Sequence, residues 1–420
     1  MKPRTALLAL LATALFIGLL GRARRSAVPS QRSVPRRGRW KVRVIALSGV
    51  ALGAAVVAAV AIAVATAQFG SAEESQADAQ VERAITGAAP TPPPTPTRPA
   101  EAPTLSASPS VTTWRLLAGG DVLMDLTEAD GVDPFAGIVP PLASADLAAV
   151  NVEMAIATGG TPWPKSFVFR APPSAAQTMA AAGIDVGNLG NNHSLDYGLD
   201  ALFETMASLR AAGVASVGAG ANEAEAYAPA TFDVASARVA VIGASRVFPH
   251  PSWAAAEHPG LASAYAESRL VEAVRSAKTT HDVVIVMVHW GEESVPCPND
   301  DQQRLGAALI DAGAAVVLGS HPHVLQPVVQ RSGGIIAYSL GNFVWRPRSG
   351  PTGETGVLEV SFEGARVIDY RFYPHVLDQR GAPVPAAPAA AARIQAAVGS
   401  PCAWPTSIWT ASRSGLGIMV

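Results

Sequence analysis

Five strand-like apolar runs in this chain each stop on a side chain able to bind a metal or move a proton. "TWRLLAGGD" ends on Asp121 and "ADLAAVNVE" on Glu153. "GIDVGNLGNNH" ends on Asn192 and His193, "HDVVIVMVHW" reaches His289, and "AAVVLGSHPH" closes with His321 and His323. Taken alone, the Asn-Asn-His cluster of the third run reads as a turn, because Asn and Gly are turn residues. Helical stretches separate the runs: "PPSAAQTMAAAG", "LDALFETMASLRAAG", "SRLVEAVRSAK" and "DQQRLGAALIDAGA" carry apolar residues at three- and four-residue spacings. A further run, "ARVAVIGAS", has no candidate ligand at its end, and the C-terminal part turns to β in "GIIAYSLGNFVW", "TGVLEVSFEG" and "ARVIDYRFYPHV". The order predicts an α/β fold with an added antiparallel portion. In open α/β sheets, sites form at the carboxyl ends of the strands, which is where these residues fall. His250, His258, His281 and His375 lie outside the pattern and read as surface or structural.

The donor types narrow the chemistry. Two carboxylates, an Asn carbonyl and three imidazoles suit Mn, Zn or Fe better than the all-oxygen shells of Ca or Mg. Asp121, Glu153, Asn192, His289, His321 and His323 are too many for one closed tetrahedral site. They fit one or two divalent metals, two sharing a bridging carboxylate and clamping both oxygens of an in-line phosphoryl displacement. His193, beside Asn192, is then free as general acid. Asp196 either orients it or simply opens the next helix. Arg170 in "FRAPP" is a candidate anion contact or a plain surface Arg, and Asn342 in "YSLGNF" a substrate contact or a turn residue. Gln326 and Pro327 read as structural.

The segments before the body point to a membrane. Residues 44–67 are uncharged and long enough to span a bilayer as a helix. "RARRSAVPSQRSVPRRGRWKVR" precedes them, and the positive-inside rule keeps that stretch cytoplasmic, placing the rest outside the membrane. "ATA" at 65–67 also fits a cleavage site, but the run is long for a signal peptide. The earlier run 5–20 is either a first spanning helix or a consequence of start-site choice. Residues 68–112, rich in Pro, Ala and Thr, read as a disordered tether. The folded body is expected over about 113–385, with an Ala/Pro-rich tail over 386–420. Cys297 and Cys402 are the only cysteines, and outside the cytoplasm they either form one bridge or stay as two thiols. A net charge of -2, with no basic aromatic-laced patch in the body, gives no reason to invoke nucleic acid.

The stretches "AGGDVLMD", "ADLAAVNVE", "FRAPPSAAQTMAAAGIDVGNLGNNHSLDYG", "VHWGEE", "LGSHPHVLQPV" and "IAYSLGNFVW" resemble, in order over about 114–345, the CapA family of poly-γ-glutamate capsule synthesis proteins. That family is similar to calcineurin-like metallophosphoesterases. The resemblance implies a four-layer fold, two packed β-sheets with helices outside. It also implies that the six residues above occupy metallophosphatase ligand positions, with His193 at the general-acid position. The chain departs from the metallophosphatase pattern at Leu123, where a His is usual, at Glu153 in place of Asp, and at Ser320, where relatives often carry another His. The loss at Leu123 predicts fewer imidazoles on one metal. The function implied is a membrane-anchored, outward-facing protein acting in synthesis, transfer or attachment of an anionic polymer, with membrane-bound synthase subunits as partners. The alternatives are a secreted phosphoesterase acting on phosphate esters, or a non-catalytic polymer-binding scaffold.

Overall fold

The computed structural model of the chain describes residues 112–125, 133–247, 253–399 and 402. The expected spans at 5–20 and 44–67 and nearly all of the linker lie outside these residues. No helix among the described residues is long and apolar enough to cross a membrane.

Two mixed sheets make the body. The first contains β1 (Thr113–Val122), β2 (Leu147–Val152), β5 (Val186–Asn188), β6 (Ala215–Val217), β15 (Asn342–Val344), β16 (Glu354–Glu363), β17 (Arg366–Leu377) and β18 (Pro383–Pro385), in the order β18-β17-β16-β1-β2-β5-β6, with β15 also paired to β1. The second contains β8 (Ala230–Val234), β9 (Ala237–Ser245), β11 (Val283–His289), β12 (Val316–Ser320), β13 (Val328–Arg331) and β14 (Gly334–Ala337), in the order β13-β14-β12-β11-β9-β8. Its four inner strands run parallel, and β8 and β13 close its edges antiparallel. Two short pairs, β3 (Ala155–Ile156) with β4 (Arg170–Ala171) and β7 (Ala219–Gly220) with β10 (Gly260–Leu261), tie down connections. The helices are α1 (Ser174–Ala181), α2 (Gly198–Ala211), α3 (Glu223–Ala226), α4 (Glu267–Lys278), α5 (Asp300–Asp311) and α6 (Pro388–Gly399).

Side-chain alternation along a strand decides the layering. Val239, Val241, Val283, Ile285 and Met287 point into one apolar cluster, which they share with Leu116, Ala118, Leu147 and Ala149 of the first sheet. The intervening Ala240, Ile242, Val284, Val286 and Val288 point the other way, onto Leu270 and Val274 of α4 and Leu305 and Leu309 of α5. On the far side of the first sheet, Leu117, Ala148 and Val150 pack with Met179 of α1 and Leu202 and Leu209 of α2. The core between the sheets is thus covered by helices on both outer faces. Strands buried on two faces read as continuous apolar runs, so a polar residue inside one is conspicuous.

Helix α6 lies in the segment expected to be a tail. Ile394 and Val398 are buried in the inter-sheet core, which carries the folded body past residue 385 to Gly399. Beyond it Cys402 is bonded to Cys297, resolving that pair as a bridge across a sequence separation of 105. His375 fits the structural reading: it is buried, and its Nε2 accepts from the Val139 N–H. A cross-link over so long a loop restrains the unfolded chain strongly. Replacing both Cys297 and Cys402 by Ser is expected to lower the unfolding free energy by about 2–4 kcal/mol in denaturant titrations; unchanged unfolding would count against a bridged native state.

Candidate metal centre

Strand register assembles the site. Across the first sheet Asn188 pairs with Asn151, Asn151 with Asp121, and Asp121 with Asn342, so one row of polar side chains crosses the strand ends. Across the second sheet Ser245, His289 and Ser320 form the corresponding row. The two rows, with the loops that leave them, bring all six predicted ligands into one linked cluster. Gly120 shows how tight the approach is. A Cβ there would lie 1.9 Å from the Gly341 carbonyl oxygen, the oxygen that accepts the Asp121 N–H at 2.9 Å. No side chain larger than hydrogen fits where β1 meets the Leu340–Asn342 turn.

Glu153, fully buried, stands at the centre. Its Oε1 has no hydrogen-bond partner, yet it lies 3.7 Å from His289 Nε2, 3.6 Å from His323 Nε2 and 3.9 Å from His193 Nε2. Asn192 Oδ1 is 2.7 Å from the same His289 Nε2. Asp121 Oδ2 lies 3.3 Å from His323 Nδ1. Possible ligand atoms fall into two sets that share Glu153, one of Glu153, His289 and His321 and one of Asp121, Glu153 and His323, each within 4.8 Å. His321 Nδ1 is a second buried atom without a partner. Buried polar atoms are seldom left this way, because an unpaired group costs about 1–3 kcal/mol. The convergence of a bare carboxylate oxygen and imidazole nitrogens fits a divalent cation.

Other polar groups fix the ligands in place. Asn151 Nδ2 donates to Asp121 Oδ1 (2.9 Å) and Glu153 Oε2 (3.2 Å). Its own Oδ1 accepts from Asn188 Nδ2 (3.0 Å) and Asn191 Nδ2 (3.4 Å). Asn191, the first residue of the Asn-Asn-His cluster, therefore turns inward to support the carboxylates. Ser320 Oγ sits 2.8 Å from His289 Nδ1, so the residue at the position where a His is expected holds another candidate ligand's ring. Asn342 Oδ1 lies 2.9 Å from His323 Nδ1, while Asn342 Nδ2 donates to the carbonyls of His323 and Thr352. Partners of this kind set which ring nitrogen is free for a metal. His321 and His323 adopt φ of 96° and 57°, a region that L-residues other than glycine rarely occupy. Such strain persists where the surroundings over-determine it, and it clusters at functional sites.

The electrostatics agree. Burial penalises the Asp121 charge, but His323 outweighs it and holds the carboxyl below the usual range. Burial, and then the charge of Asp121, drive Glu153 well above the ordinary carboxylate range. Burial and the neighbouring His321 push His289 far below the usual imidazole value, and burial with His323 takes His321 down to about 4. Burial acts against His323 too, yet Asp121 raises it. A crowded carboxylate pair beside the His289 and His321 rings, which burial keeps neutral, is the charge pattern a cation relieves.

His193 stands beside the ligands with partners of its own. Burial lowers its pKa against the opposing pull of Asp196. His193 Nδ1 is 2.7 Å from Asp196 Oδ2, which also accepts the Phe169 N–H, and the Phe169 ring stacks on the imidazole at 4.1 Å. Asp196 is thus an orienting partner. Lys165, from the exposed loop before β4, reaches in to Asp196 and donates to the Asn192 carbonyl at 2.9 Å. Arg170 is engaged elsewhere. Its guanidinium lies 4.4 Å from the Tyr197 ring centre and contacts the Thr158 and Gly159 carbonyls at 3.4 and 3.3 Å. Leu123 is buried in the apolar cluster outside the first sheet. Sequence reasoning missed Asn151, Asn188 and Lys165. Only the two asparagines carried a signal, as polar residues inside apolar runs.

Fold and site together define a mixed α/β protein with a buried donor set for divalent cations at its strand ends. Residues 115–346 match the family model described as bacterial capsule synthesis protein PGA_cap, more than half of the chain, and the chain belongs to that family. It is 36% identical over 184 residues to the capsule biosynthesis protein CapA of Bacillus anthracis, covering 43% of this chain and 45% of that protein. It is 31% identical over 235 residues to the PGA biosynthesis protein CapA of Bacillus subtilis (strain 168), covering 54% and 62%. The chain spans about half the length of the curated relatives it matches. Among solved structures, a phosphatase from Mycoplasma pneumoniae aligns with a TM-score of 0.44 at 13% identity, over 63% of this chain and 94% of that one.

Asn151→Leu is expected to leave both carboxylates without their shared donor. Metal affinity measured by calorimetry should fall about 10–100-fold, the range for lost orienting partners. Binding within twofold of the wild type would show that Asn151 does not hold the ligands.

Proposed function

We propose that this protein acts outside the membrane in synthesis, transfer or attachment of an anionic surface polymer of the poly-γ-glutamate kind, through a metallophosphatase-like centre. The observation that carries the chemical half is Glu153 Oε1, buried and unpartnered among three imidazoles. The names of the Bacillus relatives support the polymer half. The apolar run at 44–67 and its basic flank support an anchor with the body outside, and an uncharged span of that length suits a membrane helix.

Asp121, Glu153, Asn192, His289, His321 and His323 would hold one or two cations, with Mn, Zn or Fe the metals that such oxygen and imidazole donors suit. When bound, the cation supplies Lewis-acid polarisation of a phosphoryl or acyl oxygen. The protein's residues do the rest. Asp196 accepts at His193 Nδ1 and so turns Nε2 toward the centre, where it can hand a proton to a departing oxygen. Lys165 lies against the Asp196 carboxylate and keeps the pair in place. Phe169 and Trp345 pack as an edge-on pair against His193 and His323 and keep water from that side. The partners this reading implies are the anionic polymer and membrane-bound subunits that make it.

Two experiments test the proposal. Metal-dependent hydrolysis of an aryl phosphate should drop about 10²–10⁴-fold in His193→Ala, with metal content unchanged. Undiminished turnover would remove His193 from the chemistry, and absence of metal-dependent turnover in the wild type would favour a polymer-binding scaffold. Disrupting the gene should alter the amount or attachment of surface polymer, and unchanged polymer would remove the biological half.

A further inference from the structure

The loop between β11 and α5 runs back over the centre. After His289 the chain passes through Gly291 at φ 92° and Ser294 at φ 64°, conformations that bend it sharply over the His321–His323 turn. Three links fasten the loop. The Ser294 N–H donates to the Pro322 carbonyl at 2.8 Å, Gln326 Nε2 donates to the Val295 carbonyl at 2.8 Å, and Cys297 is bonded to Cys402. At the loop's own base Asn299, which caps α5, bonds Glu292 Oε1 at 3.4 Å. Glu293, the residue between these fixed points, places a carboxylate oxygen within 4.8 Å of ring nitrogens of His321 and His323, which also lie within that distance of each other. His321, whose Nδ1 is buried and without a hydrogen-bond partner, is common to this set and to the set with Glu153 and His289.

We infer that Glu293 is a further metal ligand, a carboxylate carried on the solvent side of the centre by the strapped 290–299 loop. The inference rests on the metal reading above and adds a residue to it. Charge balance favours the role. Two divalent cations bring four positive charges, and the buried carboxylates of Asp121 and Glu153 bring two negative ones. A third carboxylate narrows that deficit where water and substrate enter. Leu123 offers no donor from the opposite side, since it is buried in the apolar cluster. Unlike the buried pair, Glu293 is exposed, so a ligand here can exchange with water or an arriving anionic group without unfolding the site.

The test uses the full-length protein stripped of metal and titrated with Mn²⁺ alone and Zn²⁺ alone by calorimetry. Wild type should take up more than one ion per chain. Glu293→Gln, which preserves size and removes charge, should weaken the weaker site at least about tenfold and leave the tighter site within twofold. Glu292→Gln, the neighbouring control, should bind like wild type. Metal-free unfolding midpoints should be equal in all three, because both side chains are exposed. Equal affinities in Glu293→Gln and wild type would overturn the inference while leaving the metal centre standing. Equal losses in the two variants would also overturn it, by showing a general charge effect. No metal uptake by wild type would bring down both readings together.

Discussion

A carboxylate oxygen sealed from solvent and left bare among imidazoles is the constraint on which the structure turns. Glu153 Oε1 accepts no hydrogen bond, although the chain places three ring nitrogens within 3.9 Å of it. An ionised carboxylate in so dry a setting is expensive, and its pKa rises in response. Protonating Glu153 would leave the acid facing the His289 ring, which burial itself holds neutral. A cation shared by these groups satisfies all of them at once. The asparagine row behind them, the strained histidine turn and the glycine at the strand crossing all serve to keep that arrangement fixed.

Register is the means by which distant segments meet. Asp121, Asn151, Asn188 and Asn342 come from four strands and fall in one row because the first sheet aligns their ends. His289 and Ser320 fall in another because β11 and β12 run parallel in step. The stacking of one sheet on the other then follows from alternation within each strand, and both polar rows meet at the C-terminal edge of the core. Fold and chemistry therefore share a cause. Asp121, Asn151, Asn188, His289 and Ser320 break the apolar run of doubly buried strands, and each is part of the centre or holds one of its ligands.

Much of this was legible in the sequence, and the reason is physical. Each ligand-bearing run is long, apolar and ends in a donor, so strand, direction and functional end could be read together for Asp121, Glu153, His289 and the His321–His323 pair. The helices α1, α2, α4 and α5 carried their own periodicity. Other features gave no local signal. Helix α6 lies in an Ala/Pro-rich stretch whose weak pattern hid the two residues it buries, Ile394 and Val398. Lys165 and Glu293 sit on loops, where reach toward the centre depends on contacts with segments far away in sequence. Asn342 looked like a substrate contact or a turn residue, and its amide turned out to be committed to His323 and Thr352. Arg170 could be recognised as a cation but not as one stacked on Tyr197.

The stretch matched by the family model, 115–346, also carries the unsatisfied buried atoms Glu153 Oε1 and His321 Nδ1. The most direct test is a crystal of the protein grown with Mn²⁺ and measured at wavelengths where that ion scatters anomalously. The account predicts anomalous density beside Glu153 Oε1, ligated by His289, His321 or His323 together with Asp121 or Asn192. A centre without anomalous density, with Glu153 Oε1 bonded instead to a protein group or water, would contradict it.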